Sequence, residues 1–339
     1  MNDIKRNSIL VTVFMPVYNG SKYLQEAIES ILNQSYQNFE LLIINDGSTD
    51  NSEDIILSFT DSRIRYVANK TNIGLIGTLN IGINSAKGEY IARMDQDDFS
   101  LCDRIEKQVE FLNTNKEIGL VGTAFKFIGD ENYHSYFLDN DNIKLALLFY
   151  NSLSHPSVMF RKEICIQHSM FFREEYIHAE DYKMWTDFII KTKVANLPEV
   201  LINYRKHETQ ISQVYKMQQK NMAAQIQEEY LLNNGFTFSV RELNLIQKLD
   251  QLENSGDLEL FMLMDKFYAQ NQKLLFFNGS ILSTFLLKIY KQNLLEIEKI
   301  DKELKTYLKT SLLFSKLIFS IRQNVSLKLK ELKNKLLLK

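Results

Sequence analysis

The chain has 339 residues, with 40 Lys and Arg against 42 Asp and Glu and a formal net charge of −2, which excludes whole-protein attraction to nucleic acid. Its length is enough to bury a full core and to hold more than one structural unit. Cys102 and Cys165 stand far apart, with no CxxC and no His at zinc-finger spacing. Neither a disulfide framework nor a structural zinc is therefore indicated, and a reducing cytoplasm fits best.

No signal-peptide core is read in Met1 to Asn7, and no run reaches ~18 uninterrupted apolar residues, so no membrane-spanning helix is expected. Ser8 to Tyr18 is a β-branched apolar run that reads as a strand buried on both faces, with pairing expected to stop near Pro16. Asn19-Gly20 turns the chain, and Ser21 is the expected cap of a helix with Leu24, Ala27, Ile28, Ile31 and Leu32 on one face. Phe39 to Asn45 is the next strand. Asp50 and Glu53 form the pattern of a capping box for a helix to about Phe59. Ile64 to Ala68 reads as a strand, Gly74 to Ala86 as a loop entering a helix, and Glu89 to Met94 as another strand.

This alternation predicts an α/β fold with a doubly wound, mostly parallel sheet. In such sheets ligands bind beyond the carboxyl ends of the strands, where strand order reverses. Pro16 to Asn19, Asp46 to Asp50 and Asp95 to Asp98 all follow strands, so they are expected to face one crevice. A helix over Cys102 to Asn115, strands over Ile118 to Phe127, Leu153 to Arg161 and Val200 to Lys206, and a helix from Glu180 to about Thr192 complete the first part. From Tyr215 the pattern becomes helical with little turn chemistry. We therefore divide the chain into 1–214 and a helical appendage, 215–339.

Asp95-Gln96-Asp97-Asp98 places three carboxylates directly after a buried strand. Two carboxylates ~4 Å apart repel by ~4 kcal/mol at an effective dielectric of ~20, so the cluster calls for a cation or strong donors. Capping of the following helix by Asp98, Ser100 or Asp103 accounts for one or two of these groups, not for three acids. No GxxxxGK[ST] is present and no GxGxxG follows a strand, so phosphate must be neutralised by other means, for which a metal held by the acids suffices. Asp46 has two readings, an acceptor for the N–H of a base or a turn aspartate in Asn45-Asp46-Gly47.

Seven blocks in unbroken order carry a resemblance: PVYN at 16–19, ELLIINDGSTD at 40–50, NIGLIGTLNIGINSAKGEYI at 72–91, DQDD at 95–98, HPSVMFR at 155–161, AEDYKMW at 179–185 and YRKHETQIS at 204–212. Together they resemble the family-2 glycosyltransferases, inverting enzymes of the GT-A fold. The resemblance implies that Pro16 and Tyr18 line the base and ribose pocket, that Asp46 binds uracil N3, and that Asn72 and Asn80 border the nucleotide. Asp95 and Asp97 correspond to the pair that meets ribose, diphosphate and metal, with Gln96 between them. Whether Asp97 or Asp98 is the main ligand of Mn2+ or Mg2+ stays open. Asp181 matches the catalytic base, beside Glu180; from the residues alone it also reads as a helix cap. Asn45 and Thr78-Leu79-Asn80 depart from the family's frequent pattern, the second leaving no basic residue there to face the diphosphate.

His155 and His207 each read as a core or loop residue or as a group contacting acceptor, diphosphate or metal, and Trp185 as core or sugar platform. Near the end, Phe314, Ile318, Ile321, Val325, Leu329, Leu332 and Leu336 advance in helical steps, with Lys316, Arg322, Lys328, Lys330, Lys333, Lys335 and Lys339 against Glu331. A basic amphipathic helix of this kind suits an anionic membrane surface; packing on the appendage or on a second copy of the chain is the other reading. The function expected is transfer of a hexose or N-acetylhexosamine from a UDP-sugar to a lipid-linked or oligosaccharide acceptor of a surface glycan, at the cytoplasmic face of a membrane. The alternatives are an inactive glycosyltransferase-like scaffold and a nucleotidyltransferase. The latter needs a glycine-rich, basic loop after the first strand, where only Gly20 and Lys22 stand.

Overall fold

The computed structural model describes residues 9–208, 210, 214–250, 258–296 and 302–323. The chain divides into two compact units, Met1–Ile226 and Gln227–Lys339.

In the first unit, the strands β1 (Val11–Val17), β2 (Phe39–Asn45), β3 (Ile64–Ala68) and β4 (Tyr90–Arg93) pair in parallel in the order β3-β2-β1-β4. Every residue of β1, β2 and β4 is buried, as continuous apolar runs require in a sheet covered on both faces. Chain order reverses at β1, between β2 and β4, so the crevice opens there. Pro16 helps to open it. The Phe14 carbonyl accepts from the Met94 amide at 3.0 Å, so Phe14 and, two residues on, Pro16 turn their main-chain polar groups toward β4. With no N–H at Pro16, the β1–β4 register ends at Phe14↔Arg93, and the two strand ends part. Toward β2 the ladder does not stop at Pro16 but runs on to Val17↔Asn45.

Beyond β4 the sheet continues through β8 (Met159–Arg161), β6 (Ile118–Phe127), β9 (Lys193–Tyr204) and β5 (Phe99–Ser100), with β7 (Tyr133–His134) on β6. Only the last three residues of the strand expected over Leu153 to Arg161 pair as a strand. Pro156 sits in a 3-10 turn, His155–Ser157, closed by the Ser157 amide on the Ser154 carbonyl at 2.9 Å. β9 is longer than expected. It pairs in parallel with β6, and its register slips between Thr123↔Leu197 and Ala124↔Val200, where Pro198 is accommodated in a bulge.

The helices of this unit cover both faces of the sheet. In α1 (Leu24–Leu32), Leu24, Ala27, Ile28 and Ile31 form the buried stripe. Its N-cap is Tyr23 rather than Ser21, whose amide instead donates to Asp50 Oδ2 at 3.0 Å. The capping box of α2 (Ser52–Ser58) is likewise replaced: Asp50 also accepts from the Ser52 amide at 3.0 Å, and Glu53 accepts from the Tyr66 phenol at 2.8 Å. Both caps are overridden because Asp50 joins two loops. The remaining helices here are α3 (Gly74–Ser85), α4 (Arg104–Thr114), α5 (Asn140–Ala146), α6 (Lys162–Gln167) and α7 (Glu180–Lys191).

α8 (Lys216–Leu232) carries the chain into the second unit, which contains α9 (Val240–Ile246), α10 (Leu258–Leu274), α11 (Gly279–Glu296), α12 (Lys302–Leu308) and α13 (Leu312–Gln323). Leu243, Ile246, Leu249, Leu260, Leu263, Met264 and Phe267, apolar positions at helical spacing, are buried. Ser239 and Glu242 cap α9 reciprocally. In α13, Leu313 and Leu317 are buried and Lys316 Nζ lies 4.6 Å above the Tyr268 ring. The rest of the expected basic amphipathic helix, from Val325 to Lys339, lies outside the described residues. No described helix is long and apolar enough to cross a membrane.

Candidate active site

The loops that follow β1 and β2 are laced together. The Asn19 amide donates to Ser48 Oγ (3.0 Å), the Thr49 amide to Asn19 Oδ1 (2.8 Å) and the Gly20 amide to Ser52 Oγ (2.9 Å). Asn19 and Gly47 take the left-handed backbone, with φ of 49° and 68°. At Gly47 a Cβ would also lie 2.8 Å from the Asn72 amide nitrogen, so glycine is required.

Asp46, 3% exposed, accepts from Asn69 Nδ2 (2.7 Å) and the Ile73 amide (3.0 Å) on Oδ1, and from the Gly74 amide (2.9 Å) on Oδ2. It therefore positions the start of α3, and with about four acceptor positions on a carboxylate it keeps one in reserve. Asn72 stands in the same loop, its Oδ1 accepting from the Gly74 amide at 2.9 Å. Asn80 is pinned to the main chain of Phe172, donating to its carbonyl at 2.8 Å and accepting from its amide at 2.9 Å. Gln96 does the same for Tyr18: Oε1 accepts from its amide at 2.9 Å and Nε2 donates to its carbonyl at 3.1 Å. This carboxamide clasps the two strand ends that Pro16 lets part, and Tyr18 stays 47% exposed.

The segment after β4 gathers Asp95, Asp97 and Asp98, with one oxygen of each within 4.8 Å of the others. Asp103 makes no capping hydrogen bond to α4, and Asp98 is spent elsewhere. Asp95 Oδ1 is held by Arg93 Nη2 at 2.6 Å, and Asp97 Oδ2 lies 2.7 Å from His207 Nε2. Asp98 is 1% exposed; Oδ1 accepts from the Arg205 amide at 2.9 Å, and the buried Oδ2 has no partner among the described residues. Arg205 in turn donates to the Asp97 carbonyl (3.0 Å) and to Glu26 (2.7 Å), and lies 4.2 Å over the Tyr23 ring. Beneath the cluster, fully buried Arg104 donates to the Arg93 carbonyl at 2.6 Å. Burial lowers it to about 9, which still leaves it a cation at neutral pH.

Burial, followed by the Asp95 charge, raises Asp97 above the ordinary carboxylate range against the pull of His207. Burial, Asp95 and Asp97 together raise Asp98 well above it. The cluster is thus short of positive charge. Its oxygens and the imidazole are the donor set that suits Mg2+ or Mn2+, and the unpartnered Asp98 oxygen fits a ligand position.

The second acidic group lies at the start of α7. Ala179 is the N-cap and Asp181 sits in the first turn, so its carboxylate is not the cap. Asp181 Oδ1 accepts from the Tyr182 amide at 2.7 Å and Oδ2 from Asn151 Nδ2 at 2.8 Å. Burial raises Asp181 to about 6 against those two donors, and the Asp95 charge adds to the rise. Glu180 is raised to about 7 by burial and then by Asp181, with Arg93 opposing. The Tyr204 phenol is raised by burial and by Asp95, Asp98, Asp97 and Asp181 in turn.

Burial and Arg93 hold His155 well below the usual imidazole range, so it is neutral, edge-on to Trp185 at 5.7 Å. Trp185 is fully buried and belongs to the core. Sequence reasoning passed over Arg93, Arg104, Tyr204 and Asn151. An arginine inside an otherwise apolar strand two residues before an acid was a usable signal for Arg93. Nothing in the local pattern marks Asn151, which meets Asp181 only through the fold.

The family described as "Glycosyl transferase family 2" matches residues 12–179. An uncharacterized glycosyltransferase of Haemophilus influenzae is 36% identical over 325 residues, covering 88% of this chain and 98% of its own. The O-antigen biosynthesis glycosyltransferase WbnJ of Escherichia coli is 32% identical over 206 residues, covering 58% of this chain and 80% of its own. Among solved structures, S. aureus TarS in complex with UDP-GlcNAc aligns with a TM-score of 0.59 over 93% of this chain and 92% of that one, at 17% identity. A likeness at that identity carries the fold alone, and the fold is of the GT-A type.

Proposed function

Because the chain belongs to glycosyl transferase family 2 and is a glycosyltransferase, we propose that it is an inverting, metal-dependent enzyme. It moves a hexose or N-acetylhexosamine from a UDP-sugar to a growing surface glycan. The observation that carries this reading is the acid cluster itself: one oxygen each of Asp95, Asp97 and Asp98 lies within 4.8 Å of the others, and the buried Asp98 Oδ2 has no partner among the described residues.

Pro16, Tyr18, Asp46 and Asn72 line the nucleotide side, Asn80 and Gln96 fix its walls through the main chain, and Asp95 faces the ribose and diphosphate. Asp97 and Asp98 would hold Mn2+ or Mg2+, which when bound stabilises the charge gathering on the diphosphate. Asp181 takes the proton of the acceptor hydroxyl as that oxygen bonds to the anomeric carbon. The bond to the diphosphate breaks with its electron pair, from the opposite face, and the configuration inverts. A carboxylate at about 6 is ionised at neutral pH yet basic enough for this task.

The acceptor is a lipid-linked or oligosaccharide glycan. The name of the E. coli relative, an O-antigen biosynthesis enzyme, supports this class. The catalytic part is 1–214, and the basic segment at the end of 215–339 places it on the inner membrane surface. The test is UDP release from a panel of UDP-sugars with Mn2+, with Asp97→Ala and Asp181→Asn as controls. Release unaffected by both changes would remove the mechanism. UDP binding without metal dependence and without turnover on any donor would favour an inactive scaffold.

A further inference from the structure

The geometry points to Asn151 as the positioning residue for Asp181: its carboxamide fixes the plane of that carboxylate and keeps an oxygen aimed at the acceptor hydroxyl. The inference rests on the reading of Asp181 as the base. Tyr182 donates to one oxygen at 2.7 Å and Asn151 to the other at 2.8 Å, so rotation of the carboxylate breaks at least one bond. The Tyr182 amide comes from the helix that carries Asp181 and moves with it. Asn151 supplies an outside reference.

That reference is itself held. Asn151 Oδ1 accepts from the Leu153 amide at 3.3 Å. The neighbouring Ser152 carbonyl accepts from Asn196 Nδ2 at 3.1 Å, and the same nitrogen donates to the Phe137 carbonyl at 2.9 Å. The Tyr182 phenol donates to the Leu147 carbonyl at 2.6 Å. Residues 147–152 are thus tied to α7 and to β9.

The titratable groups bearing on Asp181 are Glu180 on its own helix, Asp95 after β4, Tyr136 beside β7 and Tyr204 at the end of β9. None of them is a cation, and Arg93 acts on Glu180 and Asp95. The neutral amide of Asn151 therefore favours the ionised base without cancelling its charge. A hydrogen bond to the ionised form lowers the pH at which a carboxyl titrates, so its loss raises that pH.

The experiment labels the aspartate carboxyl carbons with 13C and follows the Asp181 signal, identified by its disappearance in Asp181→Asn, through a pH titration. Native protein should titrate near about 6. Asn151→Leu should move the midpoint up by about one to two pH units, the size expected for losing a charge-assisted hydrogen bond. Asn151→Asp keeps the shape and the Oδ1 acceptor of the native residue, so it preserves the loop, and its added charge should move the midpoint at least as far. An unchanged midpoint in both variants overturns the proposal. The acid limb of UDP release against pH should move with the midpoint; a loss of rate that is flat in pH marks a merely structural residue and also overturns it. If Asp181→Asn keeps full activity, the base reading fails, whereas the NMR midpoints still report on Asn151 by themselves.

Discussion

The turns after β2 and β4 flank β1 at the carboxyl edge of the sheet, are rich in the same residue, and use it in opposite ways. After β2, Asp46 has three donors, and Asp50 has the amides of Ser21 and Ser52. Burial would raise Asp50, but its donors hold it down at about 2. After β4, Asp98 has one amide and a bare buried oxygen, and both Asp97 and Asp98 are pushed up. Acids well supplied with donors build the scaffold, and under-supplied ones are left to take a cation. Asp181 stands between the two: each oxygen has a donor, yet burial still raises it to about 6.

The sharpest way to break this contrast is to remove an acid from each turn. Asp97→Ala should lower UDP release by about a hundredfold or more, the scale of losing a major electrostatic stabiliser, with the circular dichroism spectrum unchanged. Asp181→Asn should cost a similar or somewhat smaller factor, within the range of about 100 to 10,000 attributed to a positioned base. In native protein the acid limb of kcat/KM should fall about tenfold per pH unit below about 6, since the base must be ionised. A limb at the ordinary aspartate value of about 3.9 would remove the link to burial.

Metal addition separates the turns next. Mn2+ in excess of its Kd should raise the melting temperature of native protein by mass action, with about 2.7 kcal/mol available at a hundredfold excess. Asp97→Ala should show no rise, whereas Asp50→Ala should keep it. The smallest effect falls on the scaffold. Asp50→Ala leaves two amides without their acceptor and should lower the melting temperature by a few degrees at neutral pH. The Asp50 carboxylate is depressed in the folded state, so its contribution is present above the unfolded value of about 3.9 and is lost as pH falls through about 2. The native–variant difference should therefore shrink across that window.

The β1-to-β4 alternation was legible because continuous apolar runs and helical stripes are local properties, and the acid cluster because three adjacent carboxylates are an electrostatic anomaly in any fold. β5 and the first half of β9 were not. Phe99–Ser100 has two residues, and Lys193–Tyr204 contains Pro198, so both depend on partners distant in sequence. The expected caps at Ser21 and Asp50 failed for the same reason, as a long-range bond between loops outweighed a local one.

The amino-acid order alone determined the alternating α/β frame, the family likeness and the identity of the acids, because each is written in neighbouring residues. Which acids are well supplied with donors and which are left wanting was decided only in three dimensions. Charge balance depends on buried Arg93 and Arg104 and half-buried Arg205 and Asn151, brought in from strands, helices and turns that spacing along the chain does not relate.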